Sequence, residues 1–212
     1  MRVLIACEFS GIVRDAFAAR GHDAWSCDIL PTERPGQHIM DDVRNVLDCG
    51  WDLMIAHPPC TYLAASGVRW LYEQPDRVRL MREALDFVRA LMYAPIPHIA
   101  IENPVSLIST YIRKPDQTIQ PYEHGHGEMK TTCLWLKNLP RLYPTGIVSG
   151  RYQRVWLESP SEDRAKNRSR TYTGIAEAMA AQWGGQLPYQ PNLIDHQQLI
   201  VRSTKSCYNS SI

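Results

Sequence analysis

The chain has 212 residues, 44% of them apolar and 21% charged, with 23 Lys and Arg set against 22 Asp and Glu. That length suits one domain with a sizeable core, and the balanced charge excludes a uniformly basic polyanion binder, so any such attraction must come from local clusters. Six cysteines form no C-x-x-C pair, which argues against a disulfide framework or zinc knuckle.

The opening "MRVLIACEFSG" is unlike a cleavable signal, and no run reaches the length of a membrane span. A protein of the reducing cytoplasm with no membrane partner is expected. "RVLIAC" reads as a buried strand ending before Gly11, and "GIVRDAFAARGH" as a helix with Gly21 as its cap. "DAWSCD" predicts a second strand ending in Asp28. In "MDDVRNV", Asp42 suits the N-cap of the segment that follows.

"WDLMIA" (51–56) is a further strand, broken at once by "HPPC". The clearest helix is 75–94, where Val78, Met81, Leu85, Val88 and Leu91 recur at helical spacing. "HIAIEN" (98–103) predicts a strand, 133–142 another, and "TGIAEAMAAQWGG" (173–185) a glycine-stopped helix. Alternation of this kind predicts a doubly wound, mostly parallel α/β sheet of Rossmann-like form, with ligands at the carboxyl ends of its strands. Asp28, Cys60 and Glu102 all fall at such ends. Residues 1–187 read as a single catalytic domain, 113–170 as its basic, less regular, substrate-facing region, and 188–212 as a polar, partly disordered tail.

The chemistry is concentrated at those ends. Pro58 and Pro59 stop strand pairing and fix the direction of Cys60. A lone cysteine is more often inert and buried, and this one draws interest from its place on the sheet's ligand-binding edge. Glu102, after an apolar run, is expected to be partly desolvated, with a raised pKa that lets it act as an acid near neutrality. Thiol and carboxyl on separate strand ends of one sheet suggest covalent addition with general-acid assistance.

On these residues the chain resembles the cytosine carbon-5 DNA methyltransferases, in the small form encoded by phages and prophages. "EFSG", Asp28, "DDV", "PPCTYLAASG", "ENPVSLIS" and "YTGIAEAMAAQWG" follow the family's motif order across roughly residues 3–186. The resemblance implies a Rossmann-like class I methyltransferase fold and S-adenosyl-L-methionine as cofactor, held by Phe9, Ser10, Gly11, Asp28, Ile29, Asp42, Val43 and Pro58. It implies Cys60 as nucleophile and Glu102 as its catalytic partner, with Pro59 and Asn103 beside the target base.

The chain departs from the family at Cys7, where an aspartate is usual, at His57, where the family has a small residue, and at Thr61, where it has glutamine. A minimal or absent target-recognition domain is expected. DNA is the expected partner, and a homodimer would enlarge the surface offered to it. Arg151 and Arg154 stand in for a missing arginine strand. Lys130, Thr131 and Thr132 are expected near the target, on a glycine-rich loop whose His124 and His126 are read as substrate-facing rather than as zinc ligands. The basic run from Lys130 to Arg170, interleaved with tyrosines, suits phosphate tracking, although such runs are as often solvated faces. Two rivals stay open: the same chemistry on a free pyrimidine nucleotide, and a non-catalytic DNA- or host-binding protein.

Overall fold

In the computed structural model, residues 1–159, 161 and 164–185 are described; the expected tail, 188–212, lies outside them. Seven strands form one sheet: β1 (Arg2–Ala6), β2 (Asp23–Asp28), β3 (His38–Met40), β4 (Leu53–Ala56), β5 (His98–Pro104), β6 (Gln117–Ile119) and β7 (Thr132–Lys137). Their order is β3-β2-β1-β4-β5-β7-β6. Strands β1 to β5 are parallel, while β7 runs antiparallel between β5 and β6. This is the Rossmann-like, doubly wound class expected. The order reverses between β1 and β4, so the crevice outside their carboxyl ends is where such sheets bind ligands.

Strand alternation divides the core. Leu4, Ala6, Met54, Ala56, Ile99 and Ile101 face helix α3 (Arg77–Met92), which answers with Met81, Leu85, Val88 and Leu91. Val3, Ile5, Leu53, Ile55 and Ala100 face the other way, onto Val13 and Phe17 of α1 (Ile12–Ala18) and Met179 and Trp183 of α7 (Thr173–Trp183). Strands buried on both faces need continuous apolar runs, which "VLIA" and "LMIA" supply.

Short elements complete the frame: α2 (Trp70–Glu73), α4 (Ile108–Tyr111), α5 (Arg154–Leu157) and α6 (Arg164–Ser169). One expectation needs correction. The strand expected over 133–142 ends at Lys137, because Asn138 turns into the left-handed region at φ 53° and Pro140 cannot donate to a ladder. His124 and His126 lie outside any strand: His124 pairs with the Thr145 hydroxyl, and His126 Nε2 accepts from the Gly174 amide at 3.1 Å. Among the described residues no helix is long and apolar enough to cross a membrane, and no group of three or more His, Cys, Asp or Glu is placed to hold a metal ion.

Candidate active site

The turn after β1 is built around Glu8. Its buried carboxylate accepts from the amides of Val13 (2.7 Å) and Arg14 (3.2 Å) and from the Ser10 hydroxyl (3.1 Å). It thereby satisfies the exposed donors at the start of α1. Gly11 sits at φ 71°, and a side chain there would run into the Arg14 guanidinium, 2.5 Å from its Cβ. Arg14 is itself 1% exposed and donates to Ser26, Thr32 and the carbonyls of Arg34 and Pro35, which ties the β2–β3 loop to α1.

At the end of β2, burial raises the pKa of Asp28, against the backbone amides of Leu30 and Ile29 and the nearby His38. Ile29 beside it is 75% exposed. Asp42 caps the short 3-10 turn Val43–Asn45, and Arg44 engages both its oxygens, lowering its pKa. Val43 is buried in the core.

The ends of β4 and β5 bring the chemistry together. The β4–β5 register pairs Ala56 with Ile101, so the next residues, His57 and Glu102, stand side by side. Alternation sends both to the face lined by Leu53, Ile55 and Ala100. His57 Nδ1 lies 3.0 Å from Glu102 Oε2, with the two side chains only 9% and 12% exposed. Asn103 turns the opposite way and donates from Nδ2 to the Pro58 carbonyl at 2.8 Å, binding the β5 end to the Pro-Pro turn. Cys60 leaves that turn as an exposed free thiol.

Lys130 and Thr132, near the start of β7, approach from the other side of Glu102. Burial opposes ionisation of Glu102. The His57 hydrogen bond, the Lys130 charge and the Thr132 hydroxyl outweigh that and hold its pKa below the usual carboxylate value. This corrects the expectation of a raised pKa: sequence reasoning anticipated the desolvation but not the partners. Desolvation by the protein packed around it pushes the Cys60 thiol up, although the residue keeps an exposed surface, and the Glu102 charge adds to this, with Lys130 and Arg168 pulling the other way.

The basic region behaves differently from the expectation of a free phosphate track. Arg154 pairs with Glu128 at 2.9 Å, which also accepts from the Tyr172 hydroxyl. Lys166 and Arg170 both bind Glu33, at 2.8 and 2.7 Å, and hold its pKa at about 2. Arg151 stacks on Tyr122 at 3.5 Å, and Lys130 Nζ donates to the Arg170 carbonyl. Glu33 comes from the β2–β3 loop, far away along the chain. The Glu33 clamp seats α6 over the β1 turn, with Lys166 Nζ 5.3 Å from the centre of the Phe9 ring. Thr131 is held by Gln120 Nε2 at 2.9 Å, and Pro59 is exposed.

His57 is the neighbour of Glu102 that sequence reasoning missed. It was noticed only as a departure, although alternation from Ile55 and the parallel neighbour on "HIAIEN" would have placed it beside Glu102.

No family model matches this chain, and no curated protein matches it. Among solved structures it is similar to a prophage-encoded Escherichia coli protein described as a candidate DNA modification methyltransferase, at 15% identity and a TM-score of 0.43. The match covers 74% of this chain and 55% of that one, so this chain spans about half the length of that protein.

Proposed function

We propose that the chain is an S-adenosylmethionine-dependent methyltransferase that modifies cytosine at carbon 5 in DNA, with Cys60 as nucleophile and Glu102 as its partner on the base. The observation that supports this most is the Glu102 carboxylate at the end of β5, its charge felt by the Cys60 thiol on the loop that leaves the adjacent strand β4. The family motifs fall on the same loops.

Carbon 5 of cytosine is a poor nucleophile while the ring is aromatic. Addition of the Cys60 sulfur to carbon 6 breaks the aromaticity and makes carbon 5 enamine-like. The thiol loses a proton and ring nitrogen 3 gains one, so the step balances. Glu102, ionised near neutrality, is the group through which that proton passes and against which the protonated nitrogen rests. Carbon 5 then takes the methyl group as the donor's methyl–sulfur bond breaks and its thioether leaves; carbon 5 loses its own proton to a base, and the bond to the Cys60 sulfur breaks as nitrogen 3 gives back its proton, restoring thiol and ring. A duplex target has to leave the stack first.

S-adenosylmethionine supplies an electrophilic methyl sulfonium when bound. The residues at the β1 and β2 ends suit it. Only Oδ1 of Asp28 accepts the Leu30 amide, which leaves carboxylate capacity for ribose hydroxyls, and exposed Ile29 offers an apolar face for adenine. Phe9, Ser10, Gly11, Val43 and Pro58 complete the assigned set, and Asp42 reaches the adenine amine by giving up Arg44. Pro59, Lys130, Thr131, Thr132, Arg151 and Arg154 are assigned to the substrate side, while Asn103 holds the Pro58 carbonyl from the opposite face.

Incubation with methyl-labelled cofactor and mixed-sequence DNA tests the reading: label is expected in 5-methylcytosine, and its absence with cofactor bound defeats it. A second reading, the same chemistry on a free pyrimidine nucleotide, is favoured by the ion pairs that occupy Arg154, Lys166 and Arg170. Comparing dCMP with an oligonucleotide as acceptor separates the two.

A further inference from the structure

We propose that His57 is a positioning residue for Glu102, fixing one carboxylate oxygen through its Nδ1–H so that the other is presented to the base. The proposal rests on the methyl-transfer reading and names a part of that machinery which the family resemblance does not supply, since the resemblance has a small residue at this position.

The backbone holds His57 rigidly. Its amide donates to the Ala6 carbonyl at 2.9 Å, extending the β4–β1 pairing by one residue. The next carbonyl, of Pro58, is held by Asn103. The imidazole therefore projects from strand-like backbone, side by side with Glu102 on a parallel neighbour. Such a site is more exact than one on a free loop.

The hydrogen bond has one reasonable direction. An ionised carboxylate only accepts, so Nδ1 must carry the proton. The other ring nitrogen, Nε2, is buried and has no partner among the described residues. A buried cationic ring would leave a charged N–H unmet there, at a high desolvation cost. The neutral Nδ1–H tautomer leaves only a lone pair, so the ring works as a fixed dipole.

Besides His57, Lys130 and the Thr132 hydroxyl at the start of β7 favour the ionised form of Glu102, whose charge in turn acts on the Cys60 thiol. Cys133, also on β7, feels that charge. Among them His57 makes the one short side-chain contact resolved on Oε2. With Oε2 occupied, rotation of the carboxyl is restrained and the second oxygen keeps one direction.

The test compares His57→Leu with His57→Asn, whose side-chain amide nitrogen can stand where Nδ1 stands. Both variants are first checked for native circular dichroism and cofactor binding. Carbon-13 NMR of labelled glutamate carboxyls, with Glu102→Gln for assignment, then follows Glu102 through pH. The midpoint is expected to rise in His57→Leu and stay near wild type in His57→Asn; one midpoint in all three proteins overturns the proposal whatever the turnover. For methyl transfer, kcat should fall on the order of 10²-fold in His57→Leu, the low end for general acid–base groups, and recover to within a few fold in His57→Asn, while KM for the cofactor holds. Equal activity in wild type and His57→Leu also overturns it. A wild-type protein that shows the midpoint pattern but methylates no cytosine supports the His57–Glu102 coupling and refutes the reaction instead.

Discussion

Replacing Glu8 by alanine removes the acceptor that serves the start of α1. The amides of Val13 and Arg14 lose their partner, and the 5%-exposed position admits little water to replace it. Each buried donor left unmet costs about 1–2 kcal/mol, so the loss should total roughly 2–4 kcal/mol. With an m-value of about 2–3 kcal/mol/M in urea, the midpoint should fall by about 1 M at unchanged slope. Glu8→Gln keeps a carbonyl for Val13 but turns an NH2 toward the Arg14 amide, so it should fall between wild type and alanine. Urea unfolding followed by circular dichroism measures all three. An alanine variant within about 0.5 kcal/mol of wild type would refute the argument that this carboxylate holds the turn.

Three further outcomes follow from the geometry. Because the Glu102 charge raises the Cys60 pKa and Lys130 lowers it, Glu102→Gln should speed alkylation of Cys60 by iodoacetamide at pH 7.5 a few fold and Lys130→Ala should slow it, as read by peptide mass spectrometry; unchanged rates mean the groups do not meet. Gly174→Ala puts a Cβ 1.9 Å from the His124 carbonyl oxygen, so α7 must shift; a cost of about 2–3 kcal/mol should lower Tm by roughly 4–10 °C despite alanine's better helix propensity. Glu33 has its pKa depressed to about 2, so its clamp on Lys166 and Arg170 is fully present above the ordinary glutamate pKa and fades as pH falls from there toward 2. Hydrogen exchange in α6 should therefore rise through that window in wild type and show no such transition in Glu33→Gln.

Most of the sheet could be read from the chain because its strands are buried on both faces. "RVLIAC", "DAWSCD", "WDLMIA" and "HIAIEN" carry the apolar runs that parallel strands need, and α3 repeats its apolar side at helical spacing. Strands β3 and β6 were not visible: at three residues each they have no period to detect, and they exist because neighbours offer them a ladder. The reversed direction of β7 was equally hidden, since alternation is the same in either sense.

At the candidate site, chain position identified Cys60 and Glu102, but the ionisation of Glu102 depends on groups that arrive from elsewhere. His57 comes from the strand alongside, and Lys130 and Thr132 from the β7 edge. The basic run misled for the same reason. Its counter-charges, Glu33 and Glu128, are matched to it by folding rather than by adjacency.

The measurement that bears most directly on the proposed chemistry is a trap. DNA containing 5-fluorocytosine admits thiol addition and methyl transfer but blocks release, because fluorine cannot leave carbon 5 as a proton does. With S-adenosylmethionine present, a protein–DNA adduct stable to denaturant is expected, with the base attached to Cys60 by mass spectrometry and nothing formed by Cys60→Ala. Cofactor-bound protein that forms no adduct, or an adduct that survives loss of Cys60, would contradict it.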